Sequence, residues 1–161
     1  MSKTKLSKPK AVQLPAYCVW GLVCSMSSLD QQRNNLSLFN VIDQFQIPKN
    51  LFPKNDLKAA LPVPHEIVTL WRRRVNSDID ERQIELDVLV SLMDSQGVPV
   101  QQILTKVEIP HGHRLNRFRL QTNVLFFSVP GDYVYEIRYK RPEDESFTEC
   151  FEVPLLISEL K

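Results

Sequence analysis

Residues 125 to 140 read LFFSVPGDYVYEIRYK, and the fold class predicted for the whole chain rests on this segment. Its second half alternates between two kinds of side chain, with Tyr133, Tyr135, Ile137 and Tyr139 on one parity and Asp132, Glu136, Arg138 and Lys140 on the other. A period of two is typical of a β-strand that buries one face and exposes the other. We therefore predict a strand whose aromatic face lies in a core.

An apolar run at residues 124–129 precedes this strand, and Pro130, Gly131 and Asp132 separate the two. Proline fixes φ for the first central position of a turn, and glycine readily takes the positive φ that the second requires. The sequence thus predicts a β-hairpin. Because an isolated hairpin is only marginally stable in water, its aromatic face must pack on a second layer.

Further strand patterns are separated by turn-forming residues, at 17–26, 36–47, 65–75, 83–93, 98–109, 116–122 and 147–155. In the first of them Cys18, Trp20, Leu22, Cys24 and Met26 are expected on one face and Tyr17, Val19 and Val23 on the other. Since both faces are apolar, this strand is expected at the centre of a sheet. Short strands with regular turn signals predict an all-β fold, an antiparallel two-layer β-sandwich of about eight strands.

The prediction for the domain limits comes from the polar and proline-rich segments. Residues 1–14 carry Lys3, Lys5, Lys8 and Lys10 and are expected to form a disordered basic tail, with a single domain over 15–157 and fraying after that. The longest irregular segment, 48–64, contains four prolines, and residues 55–61 within it favour one short helix.

Composition narrows the class of protein. The chain has 161 residues, 43% of them hydrophobic, and a net charge of +1, so global charge gives no argument for a nucleic-acid or membrane partner. No segment approaches the ~20 apolar residues of a membrane span. Three cysteines, Cys18, Cys24 and Cys150, and no signal-peptide pattern favour a reduced, cytoplasmic protein with free thiols.

Catalytic and metal-binding motifs are not recognisable in the sequence. His111 and His113 flank Gly112 in an expected loop, and with His65 or a carboxylate as third ligand they would suit a transition metal. No spacing points to that third ligand, and a solvent-facing loop is the interpretation we favour. We predict no catalytic residue, no metal and no cofactor.

Two basic clusters suggest a surface for nucleic acid. Arg72, Arg73 and Arg74 follow Trp71 at the end of one expected strand, and Arg114, Arg117 and Arg119 lie on or near another. Together these six residues, here called the arginine strip, would suit phosphates and unpaired bases. The alternative is that they protect a sheet edge from pairing with other chains.

The predicted function is a non-catalytic protein-interaction or structural module. Its partner is expected to be another protein, including a second copy of this chain, and nucleic-acid binding through the arginine strip is the alternative. Leu51, Phe52 and Trp71 are the candidate exposed residues of the protein-interaction site.

Several segments resemble a bacterial family of small uncharacterised β-sandwich proteins with an immunoglobulin-like or C2-like pattern. They run from Cys18 into LSLFNVIDQF (36–45), then LDVLVSLMDSQGVPV (86–100) and FFSVPGDYVYEI (126–137). The resemblance covers about residues 16–155 and implies a β-sandwich. It implies no catalytic residue, because no activity is established for the family.

Overall fold

The computed structural model describes residues 13–30, 32–33, 35–54, 57–75 and 82–161, and within these ranges the chain is all-β, as predicted. One turn of 3-10 helix at Lys49–Leu51 accompanies eleven strands in the described ranges, rather than about eight. The strands are β1 (Ala16–Asp30), β2 (Asn35–Ile42), β3 (Gln44–Pro48), β4 (Ala59–Leu61), β5 (His65–Arg73), β6 (Ile84–Met93), β7 (Pro99–Ile109), β8 (Leu115–Thr122), β9 (Leu125–Phe127), β10 (Gly131–Lys140) and β11 (Glu149–Leu160).

The strands form a four-stranded sheet, β2-β1-β5-β8, a five-stranded sheet, β3-β11-β10-β6-β7, and a two-stranded sheet, β4-β9. The β3–β11 pair is parallel and the other pairs are antiparallel. Both larger sheets contribute side chains to one apolar core. The aromatic face predicted for β10 lies in this core, since Tyr133, Tyr135, Ile137 and Tyr139 are all buried.

The predicted hairpin of residues 124–140 is wrong. β9 pairs with β4, while β10 pairs with β11 and β6. A hydrogen bond stabilises the connection between β9 and β10: the hydroxyl of Tyr133 donates to the carbonyl of Val129 at 2.7 Å. Gly131 is required for close packing, because a Cβ at this position would lie 2.8 Å from the Cβ of Ser95 in the β6–β7 turn.

The single strand predicted at residues 36–47 is two strands in two sheets. The chain leaves the four-stranded sheet after Ile42 and joins the five-stranded sheet at Gln44. Asp43, at the crossing, accepts a backbone hydrogen bond from Leu156 at 2.8 Å. In the sequence, Phe39, Val41, Phe45 and Ile47 share one parity, so the pattern alone does not reveal the crossing. In the structure the inward parity changes there, from Ile42 to Phe45 and Ile47.

The structure differs from three predictions, for the end of the N-terminal tail, for the short helix and for the C-terminal end of the domain. Residues 1–12 of the expected tail lie outside the described residues, but Leu14 is buried in the core. Asn55 and Asp56 of the expected helix also lie outside them, and Ala59–Leu61 is a strand. The chain does not fray at Ile157, because β11 continues to Leu160 through parallel pairing with β3.

A β-bulge in β1 changes which side chains share a face. The register shifts between Cys18 and Trp20, so Cys18 lies opposite Trp71 and Cys24 lies opposite Glu66. Since Trp71 and Glu66 are an odd number of positions apart on β5, Cys18 and Cys24 face opposite sides. The prediction that they share a face is wrong, whereas the predicted central place of β1 is confirmed.

The two larger sheets approach each other closely at Gly21. A Cβ there would lie 2.9 Å from Cγ2 of Val153 and 3.2 Å from the ring of Phe151, both on β11. Only a residue without a side chain permits this contact.

We expect Gly21→Ala to lower the free energy of unfolding by about 1–3 kcal/mol, because the added methyl overpacks the contact with Val153. Urea unfolding of Gly21→Ala, Val153→Ala and the double variant measures the coupling between the two sites. Val153→Ala should be less destabilising in the Gly21→Ala background than in the wild type. Strictly additive effects would contradict the contact.

His65 is buried and both ring nitrogens are bonded. Nδ1 donates to the carbonyl of Val63 at 2.7 Å, so Nε2 is the acceptor for the hydroxyl of Tyr135, also at 2.7 Å. Burial lowers the pKa of His65 below its ordinary value of 6.5. The folded chain therefore holds this ring neutral in a pH range where the unfolded chain protonates it.

Stability should consequently fall as the pH drops below 6.5, down to the lowered pKa of His65 in the folded state. Above pH 6.5 the ring is neutral in both states and contributes no pH dependence. Thermal unfolding of His65→Gln should show a weaker pH dependence in that window, and a double variant of the exposed His111 and His113 to Asn should keep it. If stability depends on pH equally steeply in His65→Gln and in the wild type, His65 is not the source of the pH dependence.

Candidate interaction face

The residues predicted as an exposed protein-interaction site do not all reach the surface. Trp71 is 0% exposed, so its predicted exposure is wrong; it lies edge-on to Tyr139 with ring centroids 4.8 Å apart. Phe52 is half-buried against Phe127, at 5.3 Å between centroids. Leu51 is exposed in the 3-10 turn. Trp71 lies on the buried side of β5. The sequence did not predict this, because the three arginines that follow Trp71 suggested an exposed end of the strand.

The arginine strip is divided among different environments. Arg73 is buried, and it donates from Nε to the carbonyl of His113 at 3.0 Å and from Nη2 to that of Pro110 at 3.2 Å. Arg74 donates from Nη2 to both carboxylate oxygens of Glu149, at 3.0 and 2.9 Å. These two residues stabilise the fold and do not extend the predicted binding strip.

The other four arginines lie nearer to solvent. Arg72, Arg114 and Arg119 are exposed, and Arg117 is half-buried and engaged in interactions of its own. Strands β5 and β8 are antiparallel neighbours, with Leu70 opposite Arg117 and Val68 opposite Arg119. The register therefore brings Arg72, Arg117 and Arg119 onto one face. Because β8 is the edge strand of its sheet, this placement also fits edge protection.

That face is the side of the four-stranded sheet turned away from the core, and we call it the outer face. Ile67 and Trp71 of β5 lie in the core, so the alternate residues Glu66, Val68, Leu70 and Arg72 point outward. The pairing register places Trp20, Leu22 and Cys24 of β1 on the same side. Val41 of β2 joins them opposite Cys24.

The outer face is unusually apolar for the solvent side of an antiparallel sheet, which normally carries polar residues. Trp20, Leu22 and Leu70 are half-buried on it, Val41 is 60% exposed and Leu115 is 50% exposed. The exposed pair Met26 and Phe39 lies in the adjacent hairpin, separated from Val41 by the left-handed backbone of Asn40 at φ 48°. We call Trp20, Leu22, Val41 and Leu70 the apolar band.

The outward side of the five-stranded sheet is different, although it comes from the same chain. Its cross-strand neighbours include ion pairs between Lys140 and Asp87, at 3.7 Å, and between Lys106 and Glu85. Arg138 pairs with Glu136 on the same side. The outward side of the five-stranded sheet thus combines these ion pairs with exposed apolar residues such as Leu104, whereas the apolar residues of the outer face lie together across β1, β2 and β5.

Glu66 is the one carboxylate on the outer positions of β5 and β8, and it is nearly buried. It accepts a hydrogen bond from the hydroxyl of Ser27, and Arg119 donates to the backbone carbonyl of Ser27 at 3.2 Å. Cys24 lies opposite Glu66, and burial together with this carboxylate raises the pKa of its thiol. The thiol is therefore protonated, and the cluster orders the face without supplying a nucleophile.

The histidine loop does not gather three metal ligands. His111 and His113 are exposed in the loop that Arg73 holds at the end of β5, whereas His65 begins that strand. Eight strand positions separate His65 from Arg73, a distance of about 26 Å. His65 is therefore excluded as a third ligand by its position.

Glu136, Cys150 and Glu152 form the group of three possible metal ligands found in the described ranges, with ligand atoms within 4.8 Å of one another. Glu136 is already ion-paired with Arg138. Burial and the two neighbouring carboxylates raise the pKa of the Cys150 thiol. A protonated thiol and a paired carboxylate make a poor ligand set.

Comparison with known proteins adds no identity: no protein-family model and no curated protein matches this chain. The resemblance noted from the sequence therefore stays a prediction. Within the described residues, no helix has the length and apolar character that crossing a bilayer would require.

The contributions of Arg73 and Arg72 to stability are expected to differ, and this difference can be measured. Arg73→Met should lower the free energy of unfolding by about 1–3 kcal/mol, because the carbonyls of His113 and Pro110 lose their buried donor. Arg72→Met, the matched control on the exposed side, should change it by less than about 0.5 kcal/mol. Chemical denaturation of both variants tests this, and equal effects would contradict the assignment.

Proposed function

We propose that the protein is a non-catalytic binding module that docks another polypeptide on the outer face of its four-stranded sheet. The observation that carries this proposal is the apolar band, which leaves Trp20, Leu22, Val41 and Leu70 in partial contact with water. Covering such a surface releases water and is favourable in proportion to the area removed. The proposal assigns no residue to catalysis.

The arrangement of the face resembles the usual anatomy of a protein interface. Such interfaces have an apolar centre and a polar rim, and tryptophan and arginine are enriched among the residues that dominate binding. Here Trp20 lies in the apolar band, and Arg72 and Arg119 lie beside it on the exposed side. This combination favours the outer face over the predicted site at Leu51 and Phe52.

The proposal also includes a β-sandwich architecture and a location of the protein in the cytoplasm. The shared core and the tight approach of β1 to β11 at Gly21 support a β-sandwich whose layers are the two larger sheets. Cys18, Cys24 and Cys150 are free thiols, which supports a reducing compartment such as the cytoplasm.

Charge placed on the outer face should abolish binding without unfolding the chain. Val41→Asp and Leu115→Asp each put a carboxylate at a position that is at least half exposed, so the fold should tolerate them. Native mass spectrometry of the protein, purified gently from the cells that make it, should show a discrete added polypeptide mass for the wild type. Both variants should lose it.

Leu104→Asp provides the matched control, since Leu104 is 70% exposed on the outward side of the five-stranded sheet. This variant should keep the added mass. A partner that survives Val41→Asp and Leu115→Asp, or a wild-type protein that stays an unbound monomer, would refute the proposed face.

A further inference from the structure

The outer face changes character across its width. One row of facing residues runs from Trp20 through Leu70 to Arg117, and the next runs from Leu22 through Val68 to Arg119. Each row therefore begins with an apolar residue on β1 and ends with an arginine on β8. Arg72, at the end of β5, extends the basic side next to Leu115.

The outward positions of β5 and β8 offer little acidic charge to balance Arg72 and Arg119. Among the outward residues of β5 and β8, Glu66 is the single carboxylate, and it is nearly buried and bonded to Ser27. Arg72 and Arg119 are exposed. A surface of one sign attracts a partner of the other sign and rejects partners of its own sign.

We propose that the partner presents an acidic, apolar polypeptide segment, an inference that rests on the proposed function. Its apolar side chains cover the apolar band on β1 and β2, and its aspartate or glutamate side chains meet Arg72 and Arg119. A guanidinium offers planar paired donors that match a carboxylate in two parallel hydrogen bonds. Arg119 is already oriented, because its Nη1 donates to the carbonyl of Ser27 at 3.2 Å.

The balance of side chains favours a polypeptide over single-stranded nucleic acid. Nucleic-acid platforms combine basic grooves with aromatic rings on which successive bases stack. The apolar band contains one aromatic residue, Trp20, and the other three, Leu22, Val41 and Leu70, are aliphatic. Among the residues that the structure describes, the one further exposed ring on this side, Phe39, lies in the β1–β2 hairpin beyond Val41, on the side of the band away from the arginines. Aliphatic side chains pack against the side chains of another protein and offer no ring for stacking.

Random linear peptides displayed on phage are the probe for this proposal. Selection against the full chain should enrich sequences that combine large apolar residues with aspartate or glutamate. A synthetic peptide of the enriched sequence should bind the wild type in a titration calorimeter. The Val41→Asp variant should bind it roughly tenfold more weakly or worse.

Reversal of the arginine charges tests the specific role of the basic side. The double variant Arg72→Glu, Arg119→Glu should lose the acidic peptide by roughly tenfold or more and should select basic, apolar peptides from the same library. The control Lys49→Glu, Lys54→Glu makes the same change in net charge at exposed positions outside the outer face. It should keep the wild-type selection.

The inference would be overturned by enriched peptides with no acidic bias, by no enrichment at all, or by equal binding to the charge-reversed variant. Displacement of the peptide by a single-stranded oligonucleotide that itself binds in a salt-dependent way would also overturn it, since the arginines would then serve phosphates. If a natural partner is still lost in Val41→Asp, only the acidic character is refuted and the docking face stands.

Discussion

The burial of Trp71 against Tyr139 is the contact on which the organisation of the four-stranded sheet depends. Side chains alternate strictly along a strand, so fixing Trp71 inward also fixes Leu70 and Arg72 outward. Hydrogen bonding in register then transmits this choice to β1 and β8. The outward positions of β5 and β8 therefore follow from the inward placement of Trp71.

Alternation along the sequence was sufficient to predict the all-β class and the buried face of β10, because both depend on neighbours within one strand. It was not sufficient to predict strand partners. β9 pairs with β4 across more than sixty residues of sequence, and the local turn at Pro130 and Gly131 suggested β10 instead. Local turn chemistry does not specify long-range pairing, and so the hairpin prediction failed.

The candidate site shows the same division between local and long-range information. Arg72, Arg73 and Arg74 are adjacent and chemically identical, yet one is exposed, one holds a loop and one pairs with Glu149. The sequence identified the basic clusters but not these separate environments. The apolar band was missed because its members come from three strands and because a bulge changes the parity of β1.

The β-bulge in β1 shifts the alternation of inward and outward side chains by one residue. In a regular β1, Cys24 and Leu22 would follow Cys18 into the core, and Val23 would point to water. The extra residue reverses this order, so that Gly21 and Val23 fill the interior and Trp20 and Leu22 emerge. A single inserted position thus exchanges the two sides of the strand, and the apolar character of the outer face originates in that exchange.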